Sequence, residues 1–253
     1  RRQAGIEIEV FAHGAMCVSV SGRCYLSQDS YGKSGNRGEC RQNCRRPFRA
    51  ICSDGEGDYE VEDHYLFSAK DLCTLPFLDQ LLDAGIDALK IEGRNRPADY
   101  VACITRAYRR AIDAWARGAL DQELKAALIE QCRTVFNRDF SSGFFLGRPI
   151  SDFTDTDGSK STEQKERVGK VINYYRKAGA AHIWVQNYTI REGDQILIMG
   201  PTTGVVKQVA GNIRCENDPA RNPPQTITIA LDTAVRANDE VYRLVARTTP
   251  ARQ

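Results

Sequence analysis

From Arg167 to Val245 the chain runs as short apolar alternations separated by turn residues, with no helical period among them. The segments are "RVGKVINYY", "AHIWVQNY", "DQILIMG", "GVVKQVA", "QTITIAL" and "DEVYRLV". Six evenly spaced strands without helices predict a small antiparallel β-barrel over residues 166–248. That pattern cannot be extended towards the N-terminus. "IEIEVFA" at residues 6–12 reads as a strand ending at His13-Gly14, and "LFSAKDLCTLPFLDQLLDAG" reads as a helix. In that helix Ser68 and Asp71 resemble a capping box, Leu75, Leu78, Leu81 and Leu82 form the apolar stripe, and Gly85 is the stop. "IDALKIEG" is a second strand, and a long amphipathic helix follows from Pro97 to Gly118, with Val101, Ile104, Tyr108, Ile112 and Trp115 as its stripe.

Strand, helix, strand, helix implies parallel β/α architecture, yet two strands neither close a barrel nor make a covered sheet. A further helix over 121–136, a glycine- and aromatic-rich connector over 137–150 and the polar stretch "SDFTDTDGSKSTEQK" complete the chain. The fold class expected is α/β. The C-terminal part of a (β/α) barrel-like domain occupies residues 1–118, a helical extension and linker 119–165, and the small antiparallel β-barrel 166–248.

Among the 253 residues 42% are hydrophobic and 27% charged, the balance of a globular protein. No apolar run approaches the length of a membrane span, and the opening "RRQAGIEIEVFAHG" has no secretory pattern. Nine cysteines, an odd number, exclude a complete disulfide framework within one chain. The reading is a reducing, cytoplasmic setting in which thiols are available as metal ligands, with no membrane partner.

Four of those cysteines lie where no core could bury them. "CVSVSGRCYLSQDSYGKSGNRGECRQNC" places Cys17, Cys24, Cys40 and Cys44 among Ser, Gly, Asn, Gln and Arg. From Cys17 to Arg49 seven basic residues face two acidic ones, and positive charge beside thiols favours thiolates and anionic ligands. The spacing is C-x6-C, fifteen residues, then C-x3-C, with Cys73 beyond. Only Cys40/Cys44 has the knuckle spacing of structural zinc, whereas iron–sulfur clusters accept irregular spacing and a remote ligand. Cluster, zinc and unligated thiols all stand open on the residues alone. Cys52, Cys103, Cys132 and Cys215 are scattered and read as structural.

Other chemistry is excluded by incomplete motifs. "YGKSG" ends like a phosphate-binding loop, but Ser27 stands where its first glycine belongs. There is no H-E-x-x-H and no G-x-S-x-G. Of the three histidines only His13, at a strand end near Cys17, is a site candidate.

"EVFAHGAMCVSVSGRCYLS" resembles the signature of the collagenase-like peptidase family U-32 without departure. "SGNRGECRQNCRRPF", "FSAKDLCTL", "DAGIDALKIEGR", "YVACITRAYRRAID", "FNRDFSSGFFLGRP", "VGKVINYY" and "YTIREGDQILIMGP" extend the resemblance in order over essentially the whole chain. Within the family the likeness is to members that hydroxylate the wobble uridine of tRNA; sister branches serve ribosomal RNA cytidine hydroxylation and ubiquinone synthesis. The resemblance implies a four-iron four-sulfur cluster, prephenate as co-substrate, tRNA as partner and contacts with other RNA-modification proteins. It also implies that an N-terminal half of the barrel precedes this signature. Cys17, Cys24, Cys40 and Cys73 match one family ligand set, and Cys44 matches a position used in another. Cys73 is preferred because a helix N-terminus there would stabilise its thiolate. His13 and Glu92 are the expected catalytic groups, and Arg37, Lys90 and Arg94 the expected substrate-binding cations. The alternative is the peptidase of the family name, although no activated nucleophile is visible.

Overall fold

The structure, a computed structural model, describes residues 5–53, 58–149, 152–156, 158–216 and 226–248, with the backbone alone for residues 50, 52–53, 58–64 and 216. The chain divides into two compact units, Arg1–Asn95 with Cys103–Ser161, and Arg96–Ala102 with Thr162–Gln253.

The first unit is built on a four-stranded mixed sheet in the order β5-β1-β4-β6. Strand β1 (Glu9–Ala15) is followed by the cysteine-rich segment, which holds a short helix α1 (Leu26–Tyr31). An antiparallel hairpin of β2 (Phe48–Ser53) and β3 (Asp58–His64) follows in the stretch "FRAICSDGEGDYEVEDH". Then come β4 (Asp71–Cys73), α2 (Leu78–Asp83), β5 (Ala88–Ile91), α3 (Ala98–Ala116, its residues through Ala102 grouped with the second unit), α4 (Gln122–Arg133) and β6 (Phe140–Ser141). Strands β1 and β5 run parallel, as the two-strand reading expects.

Two expectations need correction. The helix placed over residues 66–85 begins only at Leu78. Asp71, Leu72 and Cys73 pair antiparallel with Ala15, Gly14 and His13 on one side, and Asp71 and Leu72 pair parallel with β6 on the other. Their backbone groups are thus committed to a sheet, and Pro76, which lacks an N–H, sits in a 3-10 turn before α2. Asp71 is no cap: it is fully buried, with Arg138 at 3.6 Å. The second correction is the face of α3. Its buried residues are Tyr100, Ile104, Ala107, Tyr108, Ala111 and Ala114, while Val101 and Trp115 are exposed. Alanines let a helix pack closely and so define a buried face that a search for large apolar residues overlooks. Asp121 caps α4 through Leu124 N–H at 2.8 Å, and buried Lys125 pairs with Asp79 at 2.8 Å and donates to the Pro76 carbonyl, which fastens α4 to the turn before α2.

The second unit contains β7 (Glu163–Tyr175), β8 (Ala180–Val185), β9 (Gln195–Gly200), β10 (Gly204–Val209), β11 (Arg214–Glu216), β12 (Thr226–Ala230) and β13 (Glu240–Ala246). They form one antiparallel sheet in the order β10-β9-β13-β7-β8-β12-β11. The seventh strand, β11, escapes the six-strand reading because "RCE" carries no apolar alternation. Strands β10 and β11 are the edges of the order, and among the described residues no pairing joins them into a ring. Inward positions give a continuous core of Val168, Ile183, Ile196, Ile198, Ile227, Ile229 and Val241, all fully buried. Gly169 permits the tight crossing of β7 over β8, since a Cβ there would stand 1.8 Å from the Trp184 carbonyl oxygen.

Candidate functional site

The first unit encloses a cavity of about 830 Å³ between the end of β1, the cysteine-rich segment and the loops after β5 and β6. Its wall is mostly apolar, from Val10, Phe11, Met16, Val18, Leu72, Phe144 and Phe145, with His13, Glu92, Arg45, Arg94, Gln42, Asn36 and Asn95 as polar groups. Cys17, Cys24, Cys40 and Cys44 all line it. A large, mainly apolar cavity with a few convergent polar groups is the usual form of a small-molecule site.

The cysteine segment is shaped by side chains rather than by regular structure. Ser27 accepts from Arg41 N–H at 3.0 Å and donates to Cys40 Sγ at 3.9 Å, and Asn43 Nδ2 donates to the Leu26 carbonyl. The Gln42 and Ser19 N–H groups donate to Cys40 and Cys17 Sγ, each at 3.4 Å. Gln42 holds a left-handed backbone at φ 56°, and its Oε1 accepts from Arg138 Nη2 at 3.0 Å. Arg45 is the main fastening. Its guanidinium donates to the carbonyls of Met16 and Ala69 and to Ser68 Oγ, which ties the residue after Cys44 to the residue before Cys17. Neither Arg45 nor Arg138 stands out in the sequence, because their value lies in partners 20 to 100 residues away. Gly14, at φ 126°, brings the end of β1 against Glu92, where a Cβ would lie 2.5 Å from the Glu92 carbonyl oxygen.

At His13 the cavity adjoins a buried polar cluster. His13 and Cys73 stand opposite each other in the β1–β4 ladder, and both are buried. Tyr108, from α3, donates to the Ala12 carbonyl at 2.7 Å, accepts from Thr74 N–H at 3.0 Å and lies 3.4 Å from His13 Nδ1. The His13 ring packs edge-on against Tyr108 and Phe140. Burial pushes the Tyr108 hydroxyl well above its usual value, with the charge of Cys73 adding to it.

The predicted site residues therefore separate. His13, Glu92, Arg94, Cys17, Cys24, Cys40 and Cys44 face the cavity. Glu92 Oε1 accepts from Arg94 N–H, and the Glu92 N–H donates to the His13 carbonyl, so one short loop sets both. Arg37 ends a 3-10 turn and is exposed, outside the lining. Lys90 lies outside it too, paired with Glu9 at 3.8 Å and set over the Phe11 ring. Cys73 ends strand β4, two residues before the 3-10 turn Leu75–Phe77, and the Leu75 N–H of that turn favours its thiolate, against a larger opposing effect of burial. Burial raises its thiol to about 11.

Among the described residues no group of three or more His, Cys, Asp or Glu stands together at metal-binding distance. The donor chemistry nonetheless suits a thiolate-bound metal or cluster. All eight described cysteines are free of disulfides, and four of them surround one cavity. They also act on one another: burial chiefly raises the Cys44 thiol, Cys17, Cys40 and Cys24 raise it further, and Arg45 opposes them. Of the two possible fourth ligands, Cys44 lines the cavity with this set and Cys73 lies in the buried cluster that adjoins it.

Residues 1–154 match the model of peptidase family U32, and the chain belongs to that family. It is 41% identical to a collagenase of Porphyromonas gingivalis over 96% of its own length and 59% of that protein. It is 32% identical to a tRNA hydroxylation protein of Bacillus subtilis over 93% of its length and 57% of that protein. Over 42% of its length it is 44% identical to a ribosomal RNA 5-hydroxycytidine synthase of Escherichia coli, covering 16% of that protein. The chain thus spans somewhat over half of the longer relatives that it matches along its whole length. No helix among the described residues is long and apolar enough to cross a membrane.

Proposed function

We propose that this chain is the cofactor- and substrate-holding part of an RNA pyrimidine hydroxylation protein that acts on tRNA uridine with prephenate as co-substrate. The observation that carries this reading is the cavity lined by four thiols, in a chain similar along nearly its whole length to a tRNA hydroxylation protein. Cys17, Cys24, Cys40 and Cys44 would hold a four-iron four-sulfur cluster, with Cys73 as the alternative fourth ligand. When bound, such a cluster supplies electron transfer or an iron atom that anchors oxygen ligands.

The chain's own residues would do the rest. Arg94 meets a carboxylate at the cavity mouth, while Phe144, Phe145 and Met16 cover a ring and exclude water. His13 and Glu92, joined through one backbone hydrogen bond, are the groups able to hold or pass a proton there. The peptidase reading rests on the names of relatives.

The test is nucleoside analysis of tRNA and ribosomal RNA from a strain lacking the gene for the full-length protein, complemented by the parent or by Cys17→Ser. The expected result is loss of a hydroxylated pyrimidine, restored by the parent alone, with iron and sulfide lost together from purified Cys17→Ser. Unchanged RNA, with gelatin cleaved by the purified protein, would establish the peptidase instead.

A further inference from the structure

The second unit carries a surface that the cavity does not explain. Strand register sets two rows of side chains on the outward face of β7, β8, β12 and β11. Lys170, Trp184 and Thr226 are direct partners in one row, and Asn173, His182, Thr228 and Arg214 in the other. The inward row between them, Val171, Ile183 and Ile227, is buried core, and a bulge in β7 between Val171 and Asn173 leaves Asn173 exposed on the outward face. Tyr175 and Trp184 are each 45% exposed. Tyr175 stacks on His182 with ring centroids 6.3 Å apart and planes 21° from parallel. The face thus presents flat rings on a rigid antiparallel sheet, not a scatter of aliphatics.

Its charge is positive. Arg176 and Lys177 are exposed in the β7–β8 turn beside Tyr175, and Arg214 is exposed on the edge strand. Lys170 is neutralised by Glu240 at 3.1 Å. The acids of β7, Glu163 and Glu166, are paired with Lys207 at 3.0 Å and Arg243 at 2.5 Å.

We infer that this face is a stacking platform for single-stranded RNA. Unpaired bases stack on Trp184 and Tyr175, while Arg176, Lys177 and Arg214 follow the phosphates. Aromatic rings exposed on a sheet and flanked by cations are what sequence-tolerant single-strand binding needs, because every base has a π-face and every linkage a charge. An uncharged apolar partner would match the rings but not the cations beside them. The inference deepens the proposed RNA function and rests on it for the identity of the partner.

The experiment uses the full chain. Trp115 and Trp184 are the two tryptophans, so Trp115→Phe leaves Trp184 as the reporter. An unstructured oligouridylate at low salt should quench Trp184 fluorescence, and the duplex of the same length should bind much more weakly. With a labelled oligonucleotide, Trp184→Ala and Tyr175→Ala should each lose about tenfold in affinity, and Trp184→Phe most of that loss should spare. Arg176→Gln with Lys177→Gln should flatten the salt dependence by about 0.7 per charge in log–log slope. Parent-like affinity in both alanine variants, equal binding of duplex, or a protein partner covering Trp184 that the oligonucleotide cannot displace would overturn the platform. The two readings fail separately. Hydroxylation that depends on the gene, with parent-like RNA binding in the alanine variants, removes the platform alone. RNA left unchanged by gene loss, with Trp184 still quenched, removes the hydroxylase and keeps the platform.

Discussion

The two units spend their buried volume differently. The sheet of the second is long-stranded, and its inward positions are almost all Ile and Val. The mixed sheet of the first unit has strands of 7, 3, 4 and 2 residues, and the unit leaves large apolar side chains such as Phe11, Phe144 and Leu146 exposed. Of twelve buried polar or charged side chains among the described residues, eleven lie in the first unit and Asp239 alone in the second. Buried polar groups cost desolvation unless they are hydrogen-bonded, and they fix geometry when they are. The second unit is therefore held by packing, and the first by named polar contacts that shape a cavity.

The largest effect expected from this contrast is on the aliphatic core. Ile227→Ala should destabilise the second unit by about 2–5 kcal/mol, read from hydrogen exchange of β8 and β12 amides. A loss below about 1 kcal/mol would break the comparison, since large-to-small changes in a close-packed core cost more.

Next is the buried thiol of the first unit. The folded value of Cys73, about 11, lies above the ordinary 9.0, so the unfolded chain releases this proton first as pH rises. The stability it contributes is fully present below pH 9.0 and is lost as pH approaches about 11. The loss amounts to about 2–3 kcal/mol. Urea midpoints across that range should fall for the parent and fall less for Cys73→Ala. An identical decline in both would show that Cys73 is not the group responsible.

Arg45→Gln tests whether polar fastening, not packing, shapes the cavity. It leaves the Met16 and Ala69 carbonyls without their guanidinium and should cost about 1–3 kcal/mol. Alkylation of Cys17 and Cys44 should quicken as the segment loosens, and Arg45→Lys should not restore it, because one ammonium cannot span the same acceptors. Unchanged alkylation would assign the shape of the segment to something else.

The smallest effect is expected at Phe144, 71% exposed. Phe144→Ser should change stability by no more than about 0.5 kcal/mol. A larger loss, seen as a shift in the urea midpoint, would show that this apolar wall is covered in the folded protein and would sharpen the contrast into one between a finished core and a shared one.

The second unit was legible because its signal is local. Alternation of period two names the inward residues of each strand, and six of the seven strands carry it. The strand it missed, β11, has three residues and pairs through its backbone alone. The first unit was half legible. The parallel pair β1–β5 follows from its own patterns, but "AKDLC" reads as a helix start until β1 and β6 are in place to take its hydrogen bonds. Among the site residues, the four loop cysteines declared themselves by polar surroundings that could not bury them. Arg37 and Lys90, expected as substrate-binding cations, lie outside the cavity lining, because charge along a chain says nothing about position in space.

What the sequence by itself determined is the division into a β/α part and an antiparallel part, the family signature, and a thiol-rich segment that no core could bury. These depend on residue type and spacing, which are properties of the chain. What only the tertiary structure decided is which thiols line the cavity. Cys73 and Cys44 are both compatible with the spacing, and the difference between them is that β4 carries Cys73 into the buried cluster opposite His13, while Arg45 draws Cys44 to the wall beside Cys17. That choice is made by backbone pairing and by one guanidinium with distant partners, and neither leaves a mark in the local sequence.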